Sequence, residues 1–181
     1  LAGTLETVPS LIGGTTAAGD GTSPWARCMR RARVAPSAVA IRAGGATVTY
    51  EELMAGARGV AAQLEAEGVG RGAIVGVWTE RSAAWAQAML GIWGRGAVYL
   101  PLDPRWPAGR VVDVLTRSRA TVVLVDAARP TRWLADTACR VVPIEDAVGV
   151  AGPSREGEIV SDPCDLAYVI FTSGSTGTPK G

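Results

Sequence analysis

The sequence predicts an α/β fold in which a mostly parallel sheet carries helices on both faces. Between residues 74 and 144, short apolar runs rich in β-branched residues alternate with helical patterns. Strand, helix, strand repeats of this length require crossover connections between parallel strands. The chain has 181 residues, of which 48% are hydrophobic and 19% charged, and this is enough for one core.

The first 24 residues differ from the rest of the chain. They are rich in Gly, Thr and Ser and show no sustained period, which is typical of a linker or of the tail of a preceding domain. Residues 25–181 are then expected to form one unit. Ser23 and Pro24 are a helix cap and a first helical residue, and they predict a helix over 25–33.

A hairpin and a long helix are predicted next. Two apolar runs within 38–49 flank a Gly-Gly pair, a pattern that favours a hairpin. Thr49 and Glu52 have the spacing of a capping box, and the apolar stripe that follows predicts a helix ending at Gly68.

The alternating region predicts the parallel sheet. Its strands are expected at 74–79, 98–100, 121–125 and 140–144, and its helices at 82–93, 107–118 and 131–137. Gly91 and Gly94 lie at the end of the first of these helices and indicate close packing. Residues 145–165 contain several Gly and Pro and predict a surface excursion. The apolar run 166–171 predicts a buried strand.

The loop after that strand predicts a phosphate site. Residues 172–181 read Thr-Ser-Gly-Ser-Thr-Gly-Thr-Pro-Lys-Gly, and Lys180 is the only lysine of the chain. Glycines let backbone N–H groups face an anion, the hydroxyls add donors, and the lysine adds a positive charge. A Walker loop does not fit, because Pro179 and Gly181 flank Lys180 where that motif requires Gly and Ser or Thr. A flexible linker is the alternative, but a linker does not normally follow a buried strand.

A proline-rich turn is the second motif of interest. Pro101, Asp103, Pro104 and Pro107 lie between a predicted strand and a predicted helix, and they favour a rigid turn. A packing role accounts for these residues.

Together these motifs resemble the adenylate-forming (AMP-binding) superfamily, which includes non-ribosomal peptide synthetase adenylation domains, acyl- and aryl-CoA ligases and luciferases. The loop at 172–181 resembles its phosphate-binding signature, and 48–53 resembles its first, structural motif. The turn at 101–107 resembles the second motif of peptide synthetase adenylation domains, whereas CoA ligases more often have asparagine in place of Asp103. The chain departs from the family at a few packing positions, which are Gly94, Arg95, Val98 and Arg119.

The resemblance implies that residues 25–181 are the N-terminal piece of the large lobe of an adenylation domain, truncated after its phosphate loop. The complete enzyme would activate an amino acid or another carboxylic acid with ATP and Mg²⁺ as an acyl-adenylate, and would load it onto a carrier protein's phosphopantetheine during antibiotic biosynthesis. A small MbtH-like activator protein is a further partner that the family admits. The ATP-binding residues implied here are Thr172, Ser173, Gly174, Ser175, Thr176, Gly177 and Lys180.

The remaining family machinery is expected beyond Gly181. The segment contains no histidine, so the commonest general base is absent, and no catalytic residue or metal ligand can be assigned in it. The segment alone is therefore predicted to be inactive. Two alternatives stay open, namely an acyl- or aryl-CoA ligase and a non-catalytic docking fragment.

Composition bounds the partners and the compartment. The net charge of +1 gives no reason to expect nucleic acid or an anionic membrane surface, and no apolar run reaches the length of a membrane span. Cys28, Cys139 and Cys164 lack metal-ligand spacing and are odd in number, which favours reduced thiols and a cytoplasmic location.

Overall fold

The computed structural model of the protein describes residues 22–43, 45–149 and 165–171. The helices are α1 Pro24–Val34, α2 Tyr50–Ala66, α3 Ala83–Gly94, α4 Ala108–Ser118 and α5 Ile144–Gly149, with a 3-10 helix at Arg132–Asp136. The strands are β1 Val39–Ala43, β2 Ala46–Thr49, β3 Ile74–Trp78, β4 Val98–Pro101, β5 Val122–Val125 and β6 Arg140–Pro143.

The four strands β3 to β6 form a parallel sheet in the order β4-β3-β5-β6. In the central strand, Gly76 lies opposite Leu100 on one side and Val123 on the other. Each strand is followed by a helical segment, as parallel pairing requires. The predicted α/β class is therefore confirmed.

Helices cover both faces of this sheet. Val75, Val77 and Leu124 point to one face and pack in a core cluster with residues of α2, α3 and α5. Val123 and Val125 point to the other face and pack with α4 and the 3-10 helix. Alternate residues of one strand thus enter different cores, which explains why the strands are apolar throughout rather than alternating.

Two glycines let the helices on the first face approach closely. A Cβ atom on Gly91 of α3 would lie 2.7 Å from the carbonyl oxygen of Ala57 in α2. A Cβ atom on Gly94 would lie 2.8 Å from the Trp25 ring of α1. The close packing predicted for these two positions is confirmed.

A tryptophan and a tyrosine link α3 to β4 on the same face. The indole N–H of Trp85 donates to the Tyr99 hydroxyl at 2.9 Å, and the two rings meet edge to face. Burial raises the pKa of the Tyr99 phenol, so this hydroxyl stays neutral at ordinary pH.

The N-terminal elements follow their local signals. The Ser23 hydroxyl accepts a hydrogen bond from the Ala26 N–H at 3.2 Å, and α1 begins at Pro24. The capping box is present, with the Thr49 N–H donating to the Glu52 carboxylate at 2.8 Å. Strands β1 and β2 form the predicted antiparallel hairpin.

One prediction between residues 131 and 165 needs correction. The surface excursion predicted at 145–165 begins instead as helix α5, in which Ile144 and Ala147 are buried. Six residues are too few to show a helical period, so the turn residues that follow dominated the pattern. The short helix predicted at 131–137 is present and has the 3-10 form. Residues 150–164 lie outside the described part.

None of the helices in the described ranges is both long enough and apolar enough to cross a membrane.

Candidate functional site

The segment 165–171 lies beside β4, on the side opposite β3. Tyr168 forms a parallel bridge with Tyr99 of β4. The Tyr99 N–H donates to the Ala167 carbonyl at 3.1 Å, and the Val169 N–H donates to the Tyr99 carbonyl at 3.0 Å. Because the segment runs parallel to the strands, Phe171 lies toward the carboxyl edge of the sheet, where sheets of this type bind ligands.

This segment is not the fully buried strand that its composition predicts. Leu166, Tyr168 and Ile170 are 67%, 57% and 53% exposed. Val169 and Phe171 are partly buried against the core cluster that contains α4. Among the described residues, only one face of the segment is covered, so exposed and partly buried side chains alternate from Tyr168 to Phe171.

Side chains from two other elements hold the first half of the segment. The indole N–H of Trp93, in the last turn of α3, donates to the Ala167 carbonyl at 2.8 Å. That carbonyl therefore accepts two N–H groups, one from Trp93 and one from Tyr99. Arg71 forms an ion pair with Asp165 at 2.7 Å.

The proline-rich turn after β4 is closed by its own side chains. The Asp103 carboxylate accepts hydrogen bonds from the Arg105 side chain at 2.8 and 3.0 Å and from the Arg105 backbone N–H at 2.9 Å. These donors lower the pKa of Asp103 to about 2. The indole N–H of Trp78, at the end of β3, donates to the Asp103 carbonyl at 3.2 Å. The predicted turn is therefore tied to the neighbouring strand.

Arg129 connects the loops that follow β3, β4 and β5. Its guanidinium donates to Asp126 at 2.9 Å, to Glu80 at 3.1 Å and to the Pro104 carbonyl at 3.2 Å. The same group lies 4.7 Å over the Trp78 ring. One arginine thus joins three loops at the carboxyl edge of the sheet.

The predicted ATP-binding residues lie outside the described residues. They are Thr172, Ser173, Gly174, Ser175, Thr176, Gly177 and Lys180. Within the ranges that the structure describes, no group of three or more His, Cys, Asp or Glu side chains could hold a metal ion.

Sequence reasoning did not find Trp93, Arg129 or Arg71. The hydrogen-bond partner of Trp93 is 74 residues away along the chain. The most distant partner of Arg129 is 49 residues away, and the partner of Arg71 is 94 residues away. None of the three belongs to a recognisable motif, so no local signal marks them.

A family model described as AMP-binding enzyme matches residues 28–181. A linear gramicidin synthase of Brevibacillus parabrevis is 40% identical over 153 residues, covering 83% of this chain and 3% of the relative. The non-ribosomal peptide synthetase FmoA3 (S1046A), solved with α-methyl-L-serine-AMP, is 32% identical with a TM-score of 0.75, covering 90% of this chain and 18% of that one.

A CoA synthetase shares the fold. The o-succinylbenzoate CoA synthetase MenE of Bacillus subtilis, solved with its acyl-adenylate intermediate OSB-AMP, is 24% identical with a TM-score of 0.74, covering 87% of this chain and 32% of that one. The chain thus spans a small part of the length of each of these relatives.

Proposed function

We propose that this chain, which belongs to the family of AMP-binding enzymes, is the N-terminal part of a non-ribosomal peptide synthetase adenylation domain. The complete polypeptide activates an amino acid or another carboxylic acid with ATP and transfers it to the phosphopantetheine thiol of a carrier protein. The 40% identity to a gramicidin synthase supports the peptide synthetase branch, as does Asp103 in the turn after β4.

The observation that carries this proposal is the placement of the chain ahead of the loop. Residues 165–171 run parallel to β4 and lead directly into the Ser, Thr and Gly residues at 172–181. A donor-rich loop at the carboxyl edge of a parallel sheet suits an anionic ligand.

In the proposed reaction, a substrate carboxylate oxygen bonds to the α-phosphorus of ATP while the bond from that phosphorus to pyrophosphate breaks. Substrate and leaving group are both anionic, so the step needs donors and positive charge around the phosphates. We assign this role to the backbone N–H groups, the hydroxyls of Thr172, Ser173, Ser175 and Thr176, and the Lys180 ammonium. Gly174 and Gly177 permit the close backbone approach.

The metal, the partners and the compartment belong to the same proposal. We place the Mg²⁺ ligand outside this segment. A carrier protein receives the acyl group, and a small MbtH-like protein is a further partner. The free thiols of Cys28 and Cys139 support a cytoplasmic location.

Pyrophosphate exchange tests the function. The complete polypeptide that carries this chain is incubated with ATP, labelled pyrophosphate and a panel of amino and aryl acids, and one acid is expected to drive exchange. Lys180→Ala removes a charged donor and is expected to lower the exchange rate about 10- to 100-fold. Arg117→Gln, a charge removal on the exposed side of α4, serves as the control and leaves the rate unchanged.

Other outcomes would reject parts of the proposal. Turnover with free coenzyme A but not with carrier protein would indicate a CoA ligase. Absence of exchange with every acid would support the non-catalytic docking fragment. Exchange by residues 1–181 alone would contradict the prediction that this segment is inactive.

A further inference from the structure

We propose that Trp93 is a positioning residue for ATP binding, which acts by holding the segment 165–171 through the carbonyl of Ala167. The inference rests on the proposed function, because it assigns the nucleotide to the loop that follows this segment. The role that we assign to Trp93 is indirect, through the main chain of 165–171.

Among the residues that the structure describes, few backbone contacts attach the segment to the sheet. One bridge, Tyr99 with Tyr168, joins its backbone to β4, and it comprises two backbone hydrogen bonds. Three of its large apolar side chains are more than half exposed, so packing contributes less than it would in an internal strand. Within the described part of the chain, the side chains of Trp93 and Arg71 therefore add substantially to what holds the segment.

Trp93 makes the shorter of the two bonds to the Ala167 carbonyl, at 2.8 Å against 3.1 Å for the Tyr99 N–H. Its ring belongs to the end of α3 and packs against the cluster that contains Trp25 and Leu90. The donor is consequently fixed by a helix that belongs to the core. Because Trp93 and Tyr99 both donate to the Ala167 carbonyl, the position of the segment is restricted both along the strand direction and across it.

Phenylalanine at this position removes the donor and keeps an aromatic ring. In the Trp93→Phe enzyme, ATP must bind to a loop whose preceding segment is less restricted in position, and the hydrogen bond from Trp93 no longer stabilises the ordered segment. A net contribution typical of one hydrogen bond predicts a rise of about fivefold in the KM for ATP. The KM for the acid and the kcat are expected to change less than about twofold.

Trp85→Phe is the matched control. Trp85 lies on the same helix and also donates an indole hydrogen bond, at 2.9 Å, but to the side-chain hydroxyl of Tyr99 rather than to the main chain of 165–171. Its substitution loosens the fold by a similar amount without releasing the segment. The KM for ATP is expected to stay at the wild-type value.

Hydrogen–deuterium exchange measures the segment independently of activity. In the complete polypeptide, peptides that cover 166–171 are expected to exchange faster in Trp93→Phe than in wild type, and to be unchanged in Trp85→Phe. If Trp93→Phe does not fold, Arg71→Gln replaces it, since it weakens the ion pair with Asp165 at the start of the segment. The same direction of change with a smaller size is then expected.

Each result decides a separate point. Unchanged exchange in Trp93→Phe, or equal changes in both tryptophan variants, overturns the inference. Faster exchange with an unaltered KM for ATP also overturns it, because the segment would then be held without consequence for the nucleotide. A wild-type enzyme that shows no ATP-dependent activity with any acid would reject the proposed function, and the positioning role with it.

Discussion

The close approach of α2 and α3 predicts that Gly91→Ala destabilises the chain. The added Cβ would lie 2.7 Å from the Ala57 carbonyl oxygen and 2.7 Å from the Val60 Cβ, whereas ordinary contacts begin at 3.4 Å. One of these neighbours is backbone and the other is a Cβ atom, so neither can rotate away. The two helices must therefore move apart or the new methyl group must remain strained.

The size of the effect follows from two opposed contributions. Overpacking of a well-packed core costs about 1–3 kcal/mol, and the rigid neighbours of Gly91 place it in the upper half of that range. Replacing glycine by alanine inside a helix stabilises the helix by about 1 kcal/mol, because alanine has the higher helix propensity. The net loss is about 1–2 kcal/mol, which for a chain of this length corresponds to a fall in Tm of about 2–8 °C.

Thermal unfolding followed by far-ultraviolet circular dichroism measures this change. Gly109→Ala is the control, since Gly109 is an exposed helical glycine near the start of α4 with nothing within 4 Å of an added Cβ. That variant is expected to gain up to about 1 kcal/mol. If Gly91→Ala matched or exceeded the wild-type Tm, the contact between α2 and α3 would not be the reason for glycine at this position.

Two further predictions concern the carboxyl edge of the sheet. The pKa of Asp103 is about 2, below its ordinary value of 3.8, so the stabilisation from its Arg105 pair is present above pH 3.8 and is lost as the pH falls through 2. Titration of the Asp103 carboxyl carbon by NMR should show a midpoint near pH 2 in wild type and a higher midpoint in Arg105→Gln. A wild-type midpoint near 3.8 would show that Arg105 does not lower the pKa of Asp103. Arg129→Gln is expected to lower the free energy of unfolding by about 1–2 kcal/mol, since its partners are only partly desolvated. Arg117→Gln, which breaks one exposed pair, should cost less than about 0.5 kcal/mol in the same urea titration.

Local patterns were sufficient to predict most of the elements. The Thr49 and Glu52 capping box and the Ser23 cap act within one helical turn, so three or four residues of sequence contain the whole signal. The strands of the parallel sheet are apolar on both faces because two cores meet them, and this made them visible as runs. Gly91 and Gly94 lower helix propensity, and only tight packing justifies them there.

Sequence patterns gave wrong predictions where an element was very short or where its burial depended on distant residues. Helix α5 has six residues, which is shorter than two turns, and its apolar residues Ile144 and Ala147 form no visible period. Residues 166–171 have the composition of a strand with both faces covered, yet the described residues cover one face only. The composition of a segment indicates how buried it could be. It does not show whether neighbouring residues are present to bury it.

The predicted phosphate loop at 172–181 shows that the chemistry of a site and its position are predicted from different information. Its residue types are local and predict an anion site on their own, because hydroxyls, glycines and one lysine together supply donors, close backbone approach and positive charge. Among the described residues, the segment ahead of this loop is held by one backbone bridge, by Trp93 and by Arg71. These partners come from α3, from β4 and from the loop before β3, and no pattern in the sequence relates them. Ten residues therefore predict the chemistry of the loop, whereas the contacts that hold the preceding segment 165–171 could be found only in the fold.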